Sequence, residues 1–153
     1  MQRRSAGLLV YRRKRKALEL LLAHPGGPYF IKKDLGVWSI PKGEYPDDEE
    51  PLTAAKREFR EETGFDIDGE FLELSPIIQK GGKKVLAWAI EKDLDPAGFE
   101  SNLFTMEWPY KSGRFKEFPE VDKLQWFSLE QAREKINPSQ VALIDELESR
   151  LLP

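Results

Sequence analysis

A mixed-sheet α/β/α sandwich is the architecture this sequence predicts, and three observations predict it. Strand-like segments lie on both sides of one strongly marked early helix, two further helical segments close the chain, and no repeat or domain linker divides the 153 residues. With 40% hydrophobic content the chain suits a single domain spanning 1–153, long enough to bury roughly two thirds of its unfolded surface.

Ala6 to Arg12 and Ala17 to His24 carry β-compatible apolar density and read as strands. The basic run Arg12-Arg13-Lys14-Arg15-Lys16 between them reads as a solvated turn. A Gly/Pro-rich loop follows at Pro25 to Pro28, and Val37 to Ile40 reads as a short strand leading through Pro41 and Lys42 toward the helix. Pro51 to about Thr63 is that helix. Asp47, Asp48, Glu49 and Glu50 supply an acidic first turn, Pro51 suits the first helical position, and Gly64 suits the residue just past the end. Phe71 to Gln79 and Lys83 to Ile90 read as a hairpin turned at Gly81-Gly82, and Leu124 to Phe127 as another strand. Ser128 with Gln131 forms a capping-box start for a helix to about Ile136. Asn137-Pro138 starts a last helix, on which Val141, Ile144, Leu147 and Leu151 share a face.

The early helix carries the chemistry. At about 100° per residue, with Glu58 at zero, Glu61 falls near about −60° and Glu62 near about +40°, whereas Ala55, Phe59 and Leu52 fall at about +60° to +120°. One face is carboxylate and the adjoining face is core, while Thr53, Lys56 and Arg60 point to solvent. Three acids on a turn and a half repel one another unless a cation offsets them. Arg57 is one candidate. Hard divalent cations such as Mg²⁺ are the better one, because they take carboxylate and carbonyl oxygens and keep positions open for phosphates.

Written as spacings, the segment GEYPDDEEPLTAAKREFREETGF is Gly43, five residues, Glu49, seven residues, Arg57-Glu58, apolar Phe59, one residue, Glu61-Glu62, one residue, Gly64, apolar Phe65. It resembles the Nudix box at every defined position. The resemblance implies a Nudix-type α/β/α sandwich and a divalent-metal-dependent hydrolase, using Mg²⁺ or Mn²⁺, that cleaves a diphosphate linkage by in-line water attack. It further implies that the Gly43 carbonyl and the carboxylates of Glu58, Glu61 and Glu62 are metal ligands, with Arg57 and Glu49 as their support. A further glutamate acts as base in many members, and Glu117 and Glu120 are the candidates here, Glu120 being preferred. A non-hydrolytic nucleotide-binding module of the same fold is the alternative from a different functional class.

Substrate class rests on less. The stretch where cleavers of dinucleoside polyphosphates often carry a tyrosine holds Gly81, Gly82 and Lys83, and Lys80 stands where ADP-ribose cleavers carry proline. IPKGE, with Lys42 before Gly43, resembles the PKG of hydrolases of dinucleoside polyphosphates. Lys32, Lys33, Lys42, Lys80, Lys83 and Lys84 would surround a polyanion, so a nucleoside or dinucleoside polyphosphate is expected, with ADP-ribose or a nucleotide sugar as the alternative. Trp108 or Tyr110, in the aromatic connection Ser101 to Phe118, could stack on a base while Lys111, Arg114 or Lys116 touch phosphate. The competing reading has Phe104, Trp108 and Phe115 anchoring that connection to the core.

The absence of cysteine and the single histidine, His24, exclude disulfides, thiolate sites and multi-histidine zinc sites. Net charge of −3 argues against a stable nucleic-acid partner. Neither a signal-type pattern nor an apolar run of transmembrane length is present, so a cytoplasmic monomer or homodimer without membrane attachment is expected.

Overall fold

The computed structural model describes residues 3–152. Leucine-rich runs form β1 (Arg4–Lys14) and β2 (Ala17–Pro25), an antiparallel pair closed by Arg15 and Lys16, both at positive φ. After a loop come β3 (Lys42–Glu44), α1 (Pro51–Thr63), β4 (Leu72–Glu73), β5 (Ile77–Ile78) and β6 (Lys84–Glu91). A small hairpin, β7 (Leu103–Glu107) and β8 (Phe115–Pro119), precedes β9 (Val121–Ser128), α2 (Leu129–Lys135) and α3 (Val141–Leu151).

Seven strands make one mixed sheet, in which β4, β6, β1, β2 and β9 run in that order. β1 and β6 are parallel and the other pairings are antiparallel. The first residues of β1 pair with β3 and its last with β2, so the sheet splits around the chain that leads into α1. Alternation sends Ala6, Leu8, Val10 and Leu21 to one face, where Ala54, Ala55 and Phe59 of α1 pack. Leu9, Leu20 and Leu22 face the other way, against Ala132, Leu143, Ile144 and Leu147 of α2 and α3. The helices therefore cover both faces, as expected of a sandwich.

Four expectations need correction. Val37 to Ile40 is not a strand: Trp38 and Ser39 make only isolated bridges, because Pro41 ends the pairing and β3 begins one residue later. The hairpin expected from Phe71 to Ile90 keeps its glycine turn, with Gly81 and Gly82 at positive φ, but Ser75-Pro76 interrupts its first strand. Ser101 to Phe118 is not an open connection, since half of it pairs as β7 and β8. Its contact rings are Phe104 and Phe118, 6.0 Å apart, with Phe104 against Gly27, whereas Phe115 is 68% exposed. Finally, a 3₁₀ turn capped by Asn137 precedes the last helix.

Candidate active site

Capping fixes where α1 begins. The Glu50 carboxylate accepts from the Thr53 amide at 2.8 Å, Pro51 follows, and Gly64 ends the helix in the left-handed region at φ 81°. The acids expected in the first turn lie just before it: Glu50 is the cap and Glu49 turns back to Arg57. Burial of Ala54, Ala55 and Phe59 then fixes the rotation of the helix, which carries Glu58, Glu61 and Glu62 to the edge of the split sheet.

Arg57 gathers one side of this acidic face. Its Nε and Nη2 donate to the two oxygens of Glu49, both at 2.9 Å, and Nη1 donates to Glu58 at 2.9 Å and Glu61 at 3.2 Å. Those hydrogen bonds hold the Glu49 carboxyl below its ordinary range. Glu58 moves the other way, because burial and then the charge of Glu61 outweigh the same arginine. Gly43 is required by close approach and not by turn geometry. A Cβ built on it would overlap the Glu58 carboxylate, so the glycine seats that carboxylate against the β3 backbone.

Glu62 faces the other flank. Burial, followed by repulsion from Glu120 and Glu58, pushes its carboxyl well up, with the Lys42 ammonium and amide opposing. Burial and Glu61 likewise raise Glu120. Lys42 lies across Gly7, and burial together with nearby Lys83 lowers its pKa. A cleft of about 200 Å³ is lined by Ala23, Ser39, Ile40, Lys42, Glu62 and Glu120, among others. A second opening, of about 410 Å³, lies on the Arg57 flank between Glu61 and Ser101. In the smaller cleft two acids that make no ion pair among the described residues, Glu62 and Glu120, meet a lysine.

Main-chain hydrogen bonds put Glu120 there. The Asn102 amide donates to the Glu61 carbonyl at 2.8 Å, the Glu120 amide to the Asn102 carbonyl at 2.9 Å, and the Gly26 amide to the Glu120 carbonyl at 2.9 Å. Thus α1, the segment before β7, and the residue just after β2 together hold the residue that precedes β9. Glu117 is three residues earlier in β8, exposed and paired with Thr105, and does not reach the cleft.

The expected lysine surround contracts. Lys83 joins Lys42 and pairs with Glu44 at 3.2 Å, but Lys32 and Lys33 lie across the sheet from α1 and Lys80 sits in the exposed glycine turn. Side-chain alternation explains the misplacement of Lys33: the loop it occupies packs on His24, whose ring is on the α2 and α3 face. Trp108 packs edge-on against Tyr29 at 5.3 Å, and Tyr110 is 72% exposed at the hairpin tip, so neither lines the cleft. Ser39, Glu44 and Asn102 belong to the site surroundings and were not anticipated. Only Glu44, adjoining Gly43 in IPKGE, carried a local signal.

Among the described residues no three acids stand as a ready-made metal cage, since Arg57 engages Glu61 and part of Glu58. The donor set still fits a hard cation. It is all oxygen, the Glu58 carboxylate is seated against Gly43, and burial and the charges of neighbouring acids raise Glu58 and Glu62, a repulsion that a cation would relieve.

A family profile described as the NUDIX domain matches residues 1–147. No curated protein sequence matches. Among solved structures, the NUDIX domain of Shewanella oneidensis NrtR, complexed with ADP ribose, superposes with a TM-score of 0.70 at 14% identity over 99% of this chain and 90% of that one. A C. elegans Ap4A hydrolase binary complex gives 0.67 at 21% identity over 96% and 97%. A putative NUDIX hydrolase from Listeria monocytogenes gives 0.59 at 18% over 95% and 94%. At these identities the likeness is one of fold.

Proposed function

The chain belongs to the Nudix hydrolase family, and from that premise we propose that it cleaves a diphosphate linkage in a nucleoside or dinucleoside polyphosphate. The observation that carries this reading is the cleft in which Lys42, Glu62 and Glu120 converge beside the Arg57 cluster. Gly43, through its carbonyl, and Glu58, Glu61 and Glu62 would hold Mg²⁺ or Mn²⁺. When bound, the ions would supply neutralisation of the phosphate oxygens. Arg57 orients Glu58 and Glu61 and is itself fixed by Glu49. Lys42, with Lys83 behind it, would bind the phosphate chain. Glu120, with its carboxyl raised above its ordinary value by burial and by the charge of Glu61, would take the proton of the attacking water.

A second reading, ADP-ribose or a nucleotide sugar as substrate, is favoured by the contraction of the lysine surround, because two lysines with Glu44 between them suit a short phosphate chain. With Mg²⁺ present, kcat/KM on a panel of ATP, dinucleoside tetraphosphate, ADP-ribose and a sugar nucleotide separates the two. The first reading expects the polyphosphates to lead and Lys42→Ala to lower their kcat/KM by about tenfold, more than it lowers that of ADP-ribose. A tenfold lead for ADP-ribose selects the second. Binding without turnover of any member would identify a non-hydrolytic module.

A further inference from the structure

A cleft of about 360 Å³ lies across the sheet from α1, lined by Lys32, Lys33, Lys123 and Lys135 with Asp34, Gln125 and the edges of Trp38 and Phe127. Four ammonium groups and one carboxylate give it a charge of +3 in a chain whose net charge is −3. Several cations elsewhere are matched: Arg12 pairs with Glu19 and Asp93, Arg13 with Glu91, Lys56 with Asp68, and Arg133 with Asp145 and Glu148. Here only Lys135 is matched, to Asp34. Among the described residues Lys32, Lys33 and Lys123 have no acidic ion-pair partner, so the positive charge they bring to the cleft is not neutralised from within it.

The backbone under these lysines is held from below. His24, 1% exposed, places Nε2 at 2.7 Å from the Lys33 carbonyl and Nδ1 at 2.6 Å from Asp122 of β9. Lys33 also donates its amide to Phe30, and the Trp38 indole donates to Asp34 at 2.8 Å. His24 and Trp38 thus fix the exposed segment that carries Lys32 and Lys33, the Lys33 ammonium lying over the Phe30 ring at 5.6 Å. Ordinary solubilising lysines need no such support. Lys123 approaches from β9, paired in register with His24.

We propose that this cleft is a second anion site, separate from the hydrolytic one, that binds a small, multiply phosphorylated molecule. Its volume suits a chain of several phosphates. The lysines are point charges on flexible stems, which suits a tetrahedral polyanion. Asp34 and Gln125 offer polar contacts to the remainder of the ligand, and Ile31, Trp38 and Phe127 also line the cleft.

Inorganic tripolyphosphate tests this, titrated in EDTA into ¹⁵N-labelled full-length protein while backbone amide shifts are followed. The expected result is saturable shifts at residues 31–34, 123 and 125, together with an affinity that falls with added salt. In the double variant Lys32→Glu/Lys123→Glu, both exposed positions, the apparent Kd should rise by about tenfold or more, while Mg²⁺-dependent turnover of the best panel substrate changes by less than about twofold. Shifts confined to Lys42, Lys83 and their neighbours would overturn the second site. So would shifts of equal size at the Lys14 to Lys16 turn, which would show diffuse attraction, or an unchanged Kd in the double variant. Because the readout is binding without metal, it stands or falls independently of the hydrolytic reading.

Discussion

The two flanks of α1 solve the same electrostatic problem differently. On one, a single guanidinium satisfies Glu49, Glu58 and Glu61 within 3.2 Å. On the other, burial pushes up both Glu62 and Glu120, with Glu120 and Glu58 adding to the rise of the first and Glu61 to that of the second, and Lys42 opposes it at Glu62. The first flank is complete in the protein alone. The second leaves its acids without an ion pair, and the difference motivates the proposed division in which Arg57 and Glu49 support the site while Glu62 and Glu120 join Glu58 and Glu61 in the chemistry.

The sharpest way to break this comparison is turnover. Glu62→Gln and Glu58→Gln should each lower kcat by about 10²-fold or more in saturating Mg²⁺, with near-normal folding by circular dichroism. Near-normal rates in both would remove α1 from the chemistry. Glu120→Gln should lower kcat/KM by a smaller factor, about 10-fold or more, and change its pH profile. In the wild type the acidic limb should lie above the ordinary glutamate range, because activity falls as a base with raised pKa is protonated; in Glu120→Gln that limb should flatten. An unchanged limb would exclude Glu120 as the base.

A stability test sharpens the scaffold side. Gly43→Ala inserts a methyl where the Glu58 carboxylate sits, so it should cost about 1–3 kcal/mol by denaturant unfolding and reduce activity together. Gly81→Ala places its methyl in open space, and its cost should come from the positive φ alone.

The smallest effect is expected in EDTA. Glu58, Glu62 and Glu120 have folded pKa values above their unfolded ones, so the stability they add is full below the ordinary glutamate value and is lost as pH rises through the raised values. Between mildly acidic and neutral pH the metal-free protein should therefore lose stability, and Glu62→Gln should melt at or above wild type at neutral pH. A wild-type Tm that rises over that window would contradict the burial assigned to these acids.

Much of this was legible in the sequence because it is local. Pro51, Gly64 and the Ala54, Ala55 and Phe59 face determine where α1 begins, ends and turns, and Ser128 with Gln131 does the same for α2. The acids of α1 inherit their positions from that geometry. What was not legible depends on distant pairing. Nothing near Lys33 states that His24 will draw its loop to the opposite face, and nothing near Glu117 or Glu120 states which will meet Glu61. That choice is made by Asn102, Gly26 and the strand register, across separations that no spacing rule reaches.

Those same three main-chain contacts isolate Glu120 mechanically. The β7–β8 hairpin leaves and rejoins the body between Asn102 and Glu120, two residues tied directly to each other. What lies between them is therefore a closed excursion. Its tip, around residues 110–113, can be lengthened, shortened or exchanged for a foreign loop without transmitting strain to the cleft. The fold thus offers a grafting position whose foot is already riveted.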